Sequence, residues 1–411
     1  MKKILILAGR PIGSIELVKK AKEIGLYTIV TDYLSLESSP AKQIADESWD
    51  ISTNEVESIC RKCVAENIDY VTTGVHEFNI NRMLEVVANL SLPCYCNNKT
   101  WKYCDNKVDF KQLCKKSYIP VAKTYDIGDA YIDYPVITKP IDGSGSRGFH
   151  VCENQGDLLT YYEDSKKYSP SQTVIIEEFI PYDAVIIHYT MINGKCFYSG
   201  MSDKVSVKFQ NSGASVMGIQ TFPSKGENTY LSILDAKVRR MFENAGFVNG
   251  PIWIEAFYNG NESFVFNEMG YRFGGSLTYY PVKYFYNIDQ LELYVKSAMG
   301  LTPTIENIER VLDTKKYCIL PIHINAGKIT KIIGLEQLNS IDNFYAIAQV
   351  HFVNDEIQNW GSAQQVFCYL HLLYENNEQL KNTIKEVLES LKVFDEKGSN
   401  MIYTLFNVNN L

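Results

Sequence analysis

The chain has 411 residues, of which 45% are hydrophobic and 21% are charged. These fractions are ordinary for a globular protein and exclude disordered and collagen-like classes, while the length favours two or three domains with a ligand site between them. The net charge of −8 argues against a general nucleic-acid binder, because affinity for phosphate backbones requires a clustered basic surface. No nucleic-acid partner is expected, and any phosphate that the protein binds must be held locally.

The N-terminal segment MKKILILAGRPIG predicts a first β-strand in preference to a signal peptide. Its apolar run ends at Ala8 and Arg10 follows, so the run is too short for the hydrophobic part of a leader. No window carries the eighteen or more apolar residues that a membrane span requires. These features predict a cytoplasmic protein without a membrane partner.

Alternating strand and helix signals fill the first hundred residues. The strands are KILILA, TIVTD and DYVTT, and helices are expected near 14–24, 54–67 and 77–90. This alternation predicts a parallel sheet covered by helices. The turn at 9–13, with Asp32 after the second strand, is a partial match to a dinucleotide-binding fingerprint, and a tight strand-to-helix turn is the simpler interpretation.

Ten irregularly spaced cysteines do not form the framework of a secreted disulfide-rich protein. Cys60 and Cys63 make a C-x-x-C pair, but they belong to a helical apolar stripe and no second Cys or His pair is nearby. We interpret them as buried thiols, with a metal or redox site as the alternative.

The sequence pattern from about 107 to 300 predicts mainly β-strands, and Asn193-Gly194 and Asn259-Gly260 predict two hairpins there. Further on, the strand candidates are YCILPIHI, KITKII and AIAQVHFV. A helix is expected from about Ser362 to Leu391, and NMIYTLFNV predicts one more strand.

A first candidate site element is Lys139, which ends the strand YPVITK and precedes a loop of glycines, serines and one arginine. The N–H groups, hydroxyls and guanidinium of such a loop can close over phosphates, although a hairpin turn is the plainer interpretation of the loop alone. The strand VIIEEFIPYD follows, and its turning edge can offer backbone groups to an adenine while an acid accepts from ribose hydroxyls.

The strands IWIEAFY and SFVFNEMG carry Glu255 and Glu268, one in each. A hairpin loop at 259–262 would place Phe266 opposite Glu255 and make Glu268 its diagonal neighbour on the same face. Two facing carboxylates repel, and a magnesium ion that also binds substrate phosphates would relieve the repulsion. Buried salt bridges to lysines or arginines are the alternative.

Arg272 continues the second of these strands on the same face as Glu268 by the period-two rule. A fixed guanidinium there can bind a substrate carboxylate bidentately and stabilise negative charge. A salt bridge between Arg272 and Glu268 is the alternative.

Taken in order, DNK, the strand-Lys-Pro-Gly-rich loop, EEFI and the paired acids followed by an arginine resemble the ATP-grasp superfamily, which contains biotin carboxylase and carbamoyl phosphate synthetase. The resemblance covers essentially the whole chain. It implies an α/β and α+β protein with an N-terminal parallel-sheet pre-ATP-grasp domain at 1–106, a two-part ATP-grasp domain at 107–300 with a lid at about 107–182, and a small C-terminal α+β domain at 301–411.

The resemblance also implies the cofactors, ATP with Mg²⁺ or alternatively Mn²⁺, and residue roles. Glu255 and Glu268 would hold the metal, Arg272 would face the acyl acceptor, and Lys204 matches a basic substrate or phosphate contact. Lys107 and Lys139 would contact the phosphates. The implied ATP-contacting residues are Lys107, Lys139, Ser144, Gly145, Ser146, Arg147, Glu177, Glu178, Phe179, Ile180 and Asp183, with Glu177 and Ile180 offering backbone groups to adenine and Asp183 binding ribose.

Two departures and two histidines qualify this assignment. Many relatives have an asparagine metal ligand where this chain has Gly270, so water would complete the shell, and Arg147 stands in a lid that is usually all glycine. His76 and His188 are candidates for acid–base work, although a lone histidine is more often structural.

The reaction implied by the resemblance is ATP-dependent activation of a carboxylate as an acyl phosphate, followed by transfer to an amine with release of ADP and phosphate. The expected partners are a small carboxylate, a small amine and, by family analogy, a second subunit in a homodimer. A bicarbonate-activating carboxylase, a phosphoribosylglycinamide synthetase-like ligase, a non-catalytic nucleotide-binding regulator and a dinucleotide-binding oxidoreductase are the alternatives.

Overall fold

The computed structural model describes residues 1–142, 148–209, 215–302, 308, 310–311 and 313–411. The predicted lid residues Ser144, Gly145, Ser146 and Arg147 lie outside the described residues. Every helix within the described ranges is too short or too polar to cross a membrane.

The N-terminal region is a four-stranded parallel sheet with strand order β3-β2-β1-β4. Its central strand β1 is apolar and buried from Ile4 to Leu7, because helices cover both faces of a parallel sheet. The elements are β1 (Lys3–Leu7), α1 (Ser14–Glu23), β2 (Tyr27–Thr31), α2 (Pro40–Ile44), β3 (Glu47–Trp49), α3 (Val56–Ala65), β4 (Tyr70–Thr73), α4 (Glu77–Leu90) and α5 (Asn98–Asp105). The predicted βα alternation is therefore observed.

A small antiparallel sheet with strand order β5-β8-β6-β7 forms the next layer and packs its own core against α7. The elements of this lid region are α6 (Lys107–Lys116), β5 (Thr124–Tyr125), β6 (Val136–Pro140), β7 (His150–Cys152), α7 (Gln155–Lys166) and β8 (Val174–Glu178).

A nine-stranded sheet runs through the rest of the molecule in the order β13-β12-β9-β10-β11-β14-β19-β17, with β21 beside β14. Its first part comprises β9 (Ala184–Ile192), β10 (Lys195–Lys208), β11 (Ser215–Phe222), α8 (Glu227–Ile233), α9 (Asp235–Ala245), β12 (Gly250–Tyr258), β13 (Phe264–Gly270), α10 (Tyr279–Tyr286) and α11 (Gln290–Ala298). Asn193 and Gly194 both have positive φ in the turn between β9 and β10, as the hairpin signal predicted.

The C-terminal region extends the same sheet, since β14 pairs with β11. Its elements are β14 (Lys316–Ile324), β15 (Gly327–Lys328), β16 (Lys331–Ile333), β17 (Phe344–Gln349), β18 (Glu356–Ile357), β19 (Val366–Tyr374), α12 (Asn377–Ser390), β20 (Lys392–Phe394) and β21 (Ile402–Tyr403). The sheet thus crosses residue 300, and the domain boundaries given above stay predictions.

The helix predicted from about Ser362 to Leu391 is wrong in its first half. The segment VFCYLHLLY forms β19, which lies between β14 and β17 and is buried on both sides. Asn376 then caps α12 through its side chain. A continuous apolar run has no clear period, so pairing with two neighbouring strands decides its conformation.

Candidate active site

Glu255 and Glu268 are direct cross-strand partners in the β12–β13 hairpin. The predicted diagonal arrangement is wrong by two register steps. The connecting loop contains one residue more than expected, so Ala256 rather than Glu255 pairs with Phe266. A β-bulge then inserts Asn267 and advances Glu268 into the position opposite Glu255. The two carboxylates are therefore on the same face of the sheet as predicted, but as direct neighbours and not as diagonal ones.

Glu255 is held on both of its carboxylate oxygens. Lys204 Nζ donates to Oε2 at 2.5 Å, and the Asn267 amide donates to Oε1 at 2.8 Å. Burial by itself raises the pKa of Glu255, but the Lys204 charge and the Asn267 hydrogen bond outweigh it and hold that pKa below its ordinary value. The salt-bridge alternative thus describes one of the two acids.

Glu268 makes no hydrogen bond or ion pair with another residue in the described part of the chain. Burial and the facing Glu255 charge raise its pKa, although Lys107, Lys139 and Lys204 oppose the shift. Within the described ranges no third acid, His or Cys completes a metal-binding cluster. Two facing carboxylates, one of them without an ion-pair partner among the described residues, suit a magnesium ion whose remaining ligands are phosphates and water.

Lys139 connects the lid sheet to the acid pair. It ends β6, and its Nζ donates to Asn267 Oδ1 at 2.8 Å and lies 2.9 Å from Glu177 Oε2. Asn267, the bulge residue, therefore contacts both Lys139 and Glu255. Lys139 is thus near enough for its charge to act on both acids, while its predicted contact with ATP phosphates stays a prediction.

Glu177 has a buried carboxylate in addition to the backbone groups that the sequence analysis assigned to adenine. Its side chain is 1% exposed and pairs with both Lys139 and Lys111. Burial lowers the pKa of Lys111 to about 8. The Lys139 charge also lowers this pKa, whereas the Glu177 carboxylate raises it. Lys111 was not predicted as a site residue, although its spacing of four from Lys107 places both lysines on one face of α6.

Lys107 begins α6, where Asn106 caps the helix by accepting from the N–H groups of Val108 and Asp109. Its Nζ lies 3.5 Å from the carbonyl oxygen of Ile141, just before the predicted phosphate loop. The charge of Lys107 also acts on Glu268, where it opposes the rise in the pKa of that acid.

The adenine-binding edge follows β8. The N–H of Glu178 donates to Lys123 O at 3.0 Å, and the N–H of Phe179 donates to Pro135 O at 3.1 Å. The Ile180 N–H has no acceptor among the described residues and is available to a ring nitrogen. Asp183 is exposed at the start of β9. These positions are compatible with the predicted adenine and ribose contacts, which stay predictions.

Arg272 is fixed at the far end of the site. Its Nη2 donates to Glu77 Oε1 at 2.7 Å, its Nη1 donates to the Phe273 carbonyl, and its guanidinium lies 5.2 Å from the Trp253 ring centre. The alternative salt bridge to Glu268 is not formed. Neither the ion pair of Arg272 with Glu77 nor its contact with Trp253 was predicted from the sequence.

Gly270 is the position where Trp253 occupies the space of a side chain. A Cβ at Gly270 would lie 2.4 Å from Cε2 and from Nε1 of the indole. Trp253, on the neighbouring strand, therefore occupies the space that an asparagine side chain at position 270 would need.

The remaining candidates have mainly structural environments. His188 is buried, and burial lowers its pKa to about 3, so the ring is neutral. His76 is exposed and precedes α4. Asp32 accepts from the Gly9 N–H and from Ser39, so it is satisfied by the protein.

The two C-x-x-C cysteines are free thiols. Burial raises the pKa of Cys63 to about 12 and also raises that of Cys60. Neither thiol has the lowered pKa of a reactive or metal-binding cysteine.

Comparison with known proteins shows the fold. No family model matches the chain. The formate-dependent phosphoribosylglycinamide formyltransferase of Prochlorococcus marinus strain MIT 9515 is 28% identical over 193 residues, which are 44% of this chain and 48% of that protein. The same enzyme from strain NATL2A is 25% identical over 315 residues, 73% of this chain and 77% of that protein. The chain thus spans about half the length of the first curated relatives it matches.

Solved structures of similar fold cover nearly the whole chain. Biotin carboxylase from Campylobacter jejuni has a TM-score of 0.77 at 20% identity, covering 97% of this chain and 92% of its own. Phosphoribosylglycinamide synthetase from Anaerococcus prevotii has a TM-score of 0.75 at 16% identity, covering 96% and 100%. L-amino acid ligase from Bacillus licheniformis has a TM-score of 0.74 at 17% identity, covering 96% and 99%. The chain has the ATP-grasp fold, and the predicted resemblance and fold class are confirmed.

Proposed function

We propose that this chain, which has the ATP-grasp fold, is an ATP-dependent ligase that activates a carboxylate as an acyl phosphate and transfers the acyl group to an amine. ADP and phosphate are the other products. The observation that carries the proposal is Glu268, a carboxylate that faces Glu255 and forms no ion pair with any of the described residues. A divalent ion with bound phosphates explains why such a pair is retained on one face.

ATP lies, in this proposal, in the cleft between the lid sheet and the nine-stranded sheet. Glu255 and Glu268 would hold a magnesium ion, which would supply positive charge at the terminal phosphates. Lys139 and Lys107 neutralise phosphate oxygens from the lid side, and the Ile180 N–H, which has no acceptor among the described residues, orients the adenine. Catalysis is then positioning and electrostatic stabilisation, as is usual for phosphoryl transfer.

Arg272 binds the carboxylate that attacks the γ-phosphate. Its guanidinium is held by Glu77 and Trp253 and lies beyond the acid pair on the same face. A preorganised arginine binds a carboxylate with little further ordering and stabilises charge on the acyl phosphate. Lys204, which neutralises Glu255, acts as a basic contact at the centre of the face.

The relatives support acyl transfer to an amine. The curated relatives are named as formate-dependent enzymes that formylate phosphoribosylglycinamide, and one structural neighbour is an L-amino acid ligase. We therefore place formate and other small carboxylates, with amino acids or glycinamide-like amines, at the head of the substrate search. Use of Mn²⁺ in place of Mg²⁺, homodimer formation and a cytoplasmic location stay predictions from the sequence.

The test is a phosphate-release assay with MgATP and a matrix of carboxylates and amines. The wild-type protein should release phosphate only when a suitable carboxylate and amine are both present, and mass spectrometry should identify an amide. Glu268→Gln and Arg272→Ala should remain folded and lose turnover, while the loop variant Glu262→Gln should match the wild type.

The alternatives give different outcomes in the same assay. Phosphate release that depends on bicarbonate would support the carboxylase alternative. Tight ATP binding without any substrate-dependent release would identify a nucleotide-binding regulator and overturn the proposal.

A further inference from the structure

Three polar nitrogens for which the described part of the chain offers no hydrogen-bond partner lie on the face that carries Glu255. They are Trp253 Nε1, Arg272 Nε and His188 Nε2, each buried without a hydrogen-bond partner among the described residues. Trp253 is paired directly with His188 on β9 and with Gly270 on β13, so their positions share one face of the sheet. The contact between the Trp253 ring and the Arg272 guanidinium places the arginine on this face too.

Unpaired buried donors are expensive. Leaving a buried N–H without an acceptor costs about 1–3 kcal/mol, and several of them in one place call for a ligand that accepts. The indole N–H and the Arg272 Nε–H are obligatory donors, so the matching ligand is an acceptor such as a carboxylate. His188 is a neutral imidazole with its ring against Phe222 at 5.6 Å, and it can present Nε2 as a donor as well.

The Trp253 ring also determines the space at this point of the site. Its nitrogen edge lies where a side chain at residue 270 would be, within 2.4–2.6 Å of the position of a Cβ there. The same ring lies against the Arg272 guanidinium. Trp253 therefore fills the region between the acid pair and Arg272 with a flat, rigid group, and little room is left beside the arginine for a large acyl substituent.

We propose that Trp253 binds the carboxylate substrate through its indole N–H and restricts that substrate to short acyl groups. The inference rests on the proposed function, because it names the substrate class that the Arg272 end of the site accepts. Trp253 acts together with Arg272: the guanidinium and the indole N–H hold the carboxylate oxygens, and the ring face limits the size of the substituent.

The experiment compares Trp253→Phe, which keeps an aromatic ring and removes the N–H, with Trp253→Ala, which opens the space. Trp360→Phe, at an exposed position, is the control. Steady-state rates are measured for formate, acetate, propionate, butyrate and amino acids at saturating MgATP and amine. ATP affinity is measured separately by calorimetry, so that a change at the carboxylate site is distinguished from a change at the nucleotide site.

Trp253→Phe should raise the KM for short carboxylates about tenfold, the change expected from one hydrogen bond to a charged group, with the ATP affinity unchanged. Trp253→Ala should shift the kcat/KM preference towards longer carboxylates. An unchanged carboxylate KM in Trp253→Phe, together with an unchanged length preference in Trp253→Ala, would overturn the proposal.

Intrinsic fluorescence provides a measurement that does not depend on turnover or on the folding of the alanine variant. Formate or acetate added to wild-type protein with a non-hydrolysable ATP analogue should change the tryptophan emission, and Trp253→Phe should remove that saturable change. If the wild type binds carboxylates in this way but never turns over, the ligase proposal fails and the Trp253 site stands. If it turns over without any saturable Trp253-dependent change, the Trp253 site fails and the ligase proposal stands.

Discussion

Glu255 and Glu268 lie directly opposite each other on neighbouring strands, and they differ in how their charges are balanced. Lys204 and Asn267 occupy both oxygens of Glu255, whereas Glu268 has no hydrogen-bond or ion-pair partner among the described residues. Their pKa values move apart accordingly, with that of Glu255 lowered and that of Glu268 raised. The asymmetry assigns Glu268 as the acid whose charge depends most on a bound cation.

Glu268→Gln should keep the fold and lose activity. The amide is isosteric and removes repulsion with Glu255, so the melting temperature should equal or exceed that of the wild type. Turnover should fall roughly 100-fold or more, because the variant lacks one of the two carboxylates that would hold the cation neutralising the transferring phosphate. Circular dichroism, thermal melting and phosphate release measure these effects, with Glu262→Gln as the matched control; wild-type turnover in Glu268→Gln would remove Glu268 from the metal site.

The stability conferred by Glu268 should depend on pH in a defined direction. Burial and the Glu255 charge raise its pKa above the ordinary value of 4.5, so the folded protein binds this proton more tightly than the unfolded chain does. Its contribution is fully present below pH 4.5 and is lost as the pH rises through the folded-state pKa. The Tm of Glu268→Gln relative to the wild type should therefore increase from about pH 4.5 upwards.

Magnesium with ATP should reverse this loss in the wild type. Because the cation binds the ionised carboxylate, the increase in Tm on adding MgATP should be larger at neutral pH than near pH 4.5, and Glu268→Gln should show a smaller increase. Thermal melts across pH, with and without MgATP, provide the measurement. A Tm difference between variant and wild type that stays constant with pH would contradict the raised pKa.

The overall architecture was predictable because local signals agree with it. Strand–helix alternation gave the N-terminal parallel sheet, and Asn193-Gly194 specified a two-residue turn whose positive φ values the structure shows. The helix predicted over 362–391 failed at β19, because a strand buried on both faces has no alternation to read. Only its pairing with β14 and β17 distinguishes it from a helix.

The site residues were predicted less completely than the fold. The two acids and Arg272 were found from alternation along adjacent strands, but a bulge cannot be read from alternation, so Asn267 and the direct pairing were missed. Trp253 and Gly270 complement each other across strands, and this relationship needs the register before it becomes visible. Lys111 was visible in principle, as it follows Lys107 by one helical turn.

The free energy of unfolding should fall when either Glu177 or one of the two lysines that pair with it loses its charge. Glu177→Gln leaves Lys111 and Lys139 together without a counter-ion and should cost about 3–5 kcal/mol of unfolding free energy. Lys111→Met leaves Glu177 with Lys139 and should cost less, about 1–3 kcal/mol. Urea unfolding measures both, and the exposed Lys115→Met on the same helix is the control.

ATP binding should follow the same order. Lys139 is shared between Glu177 and Asn267, so loss of Glu177 releases it from its position near the acid pair. The affinity for ATP should fall more in Glu177→Gln than in Lys111→Met, as calorimetry can determine. Equal stability and equal ATP affinity in all three variants would show that the triad neither supports the fold nor positions Lys139.

Gly270 should tolerate no side chain while Trp253 is present. Gly270→Ala places a Cβ 2.4 Å from the indole and should cost about 1–3 kcal/mol of unfolding free energy, as overpacking typically does. Gly275→Ala is the matched control, because a Cβ there meets no atom within 4 Å.

In the double variant Trp253→Ala/Gly270→Ala the clash is removed, so its cost should be smaller than the sum of the two single costs. Urea unfolding of the four proteins of this cycle gives the coupling energy. Additive costs would show that the indole does not occupy the space above Gly270. A Gly270→Ala variant as stable as Gly275→Ala would show the same, and the absence of a side chain at position 270 would then have no structural explanation.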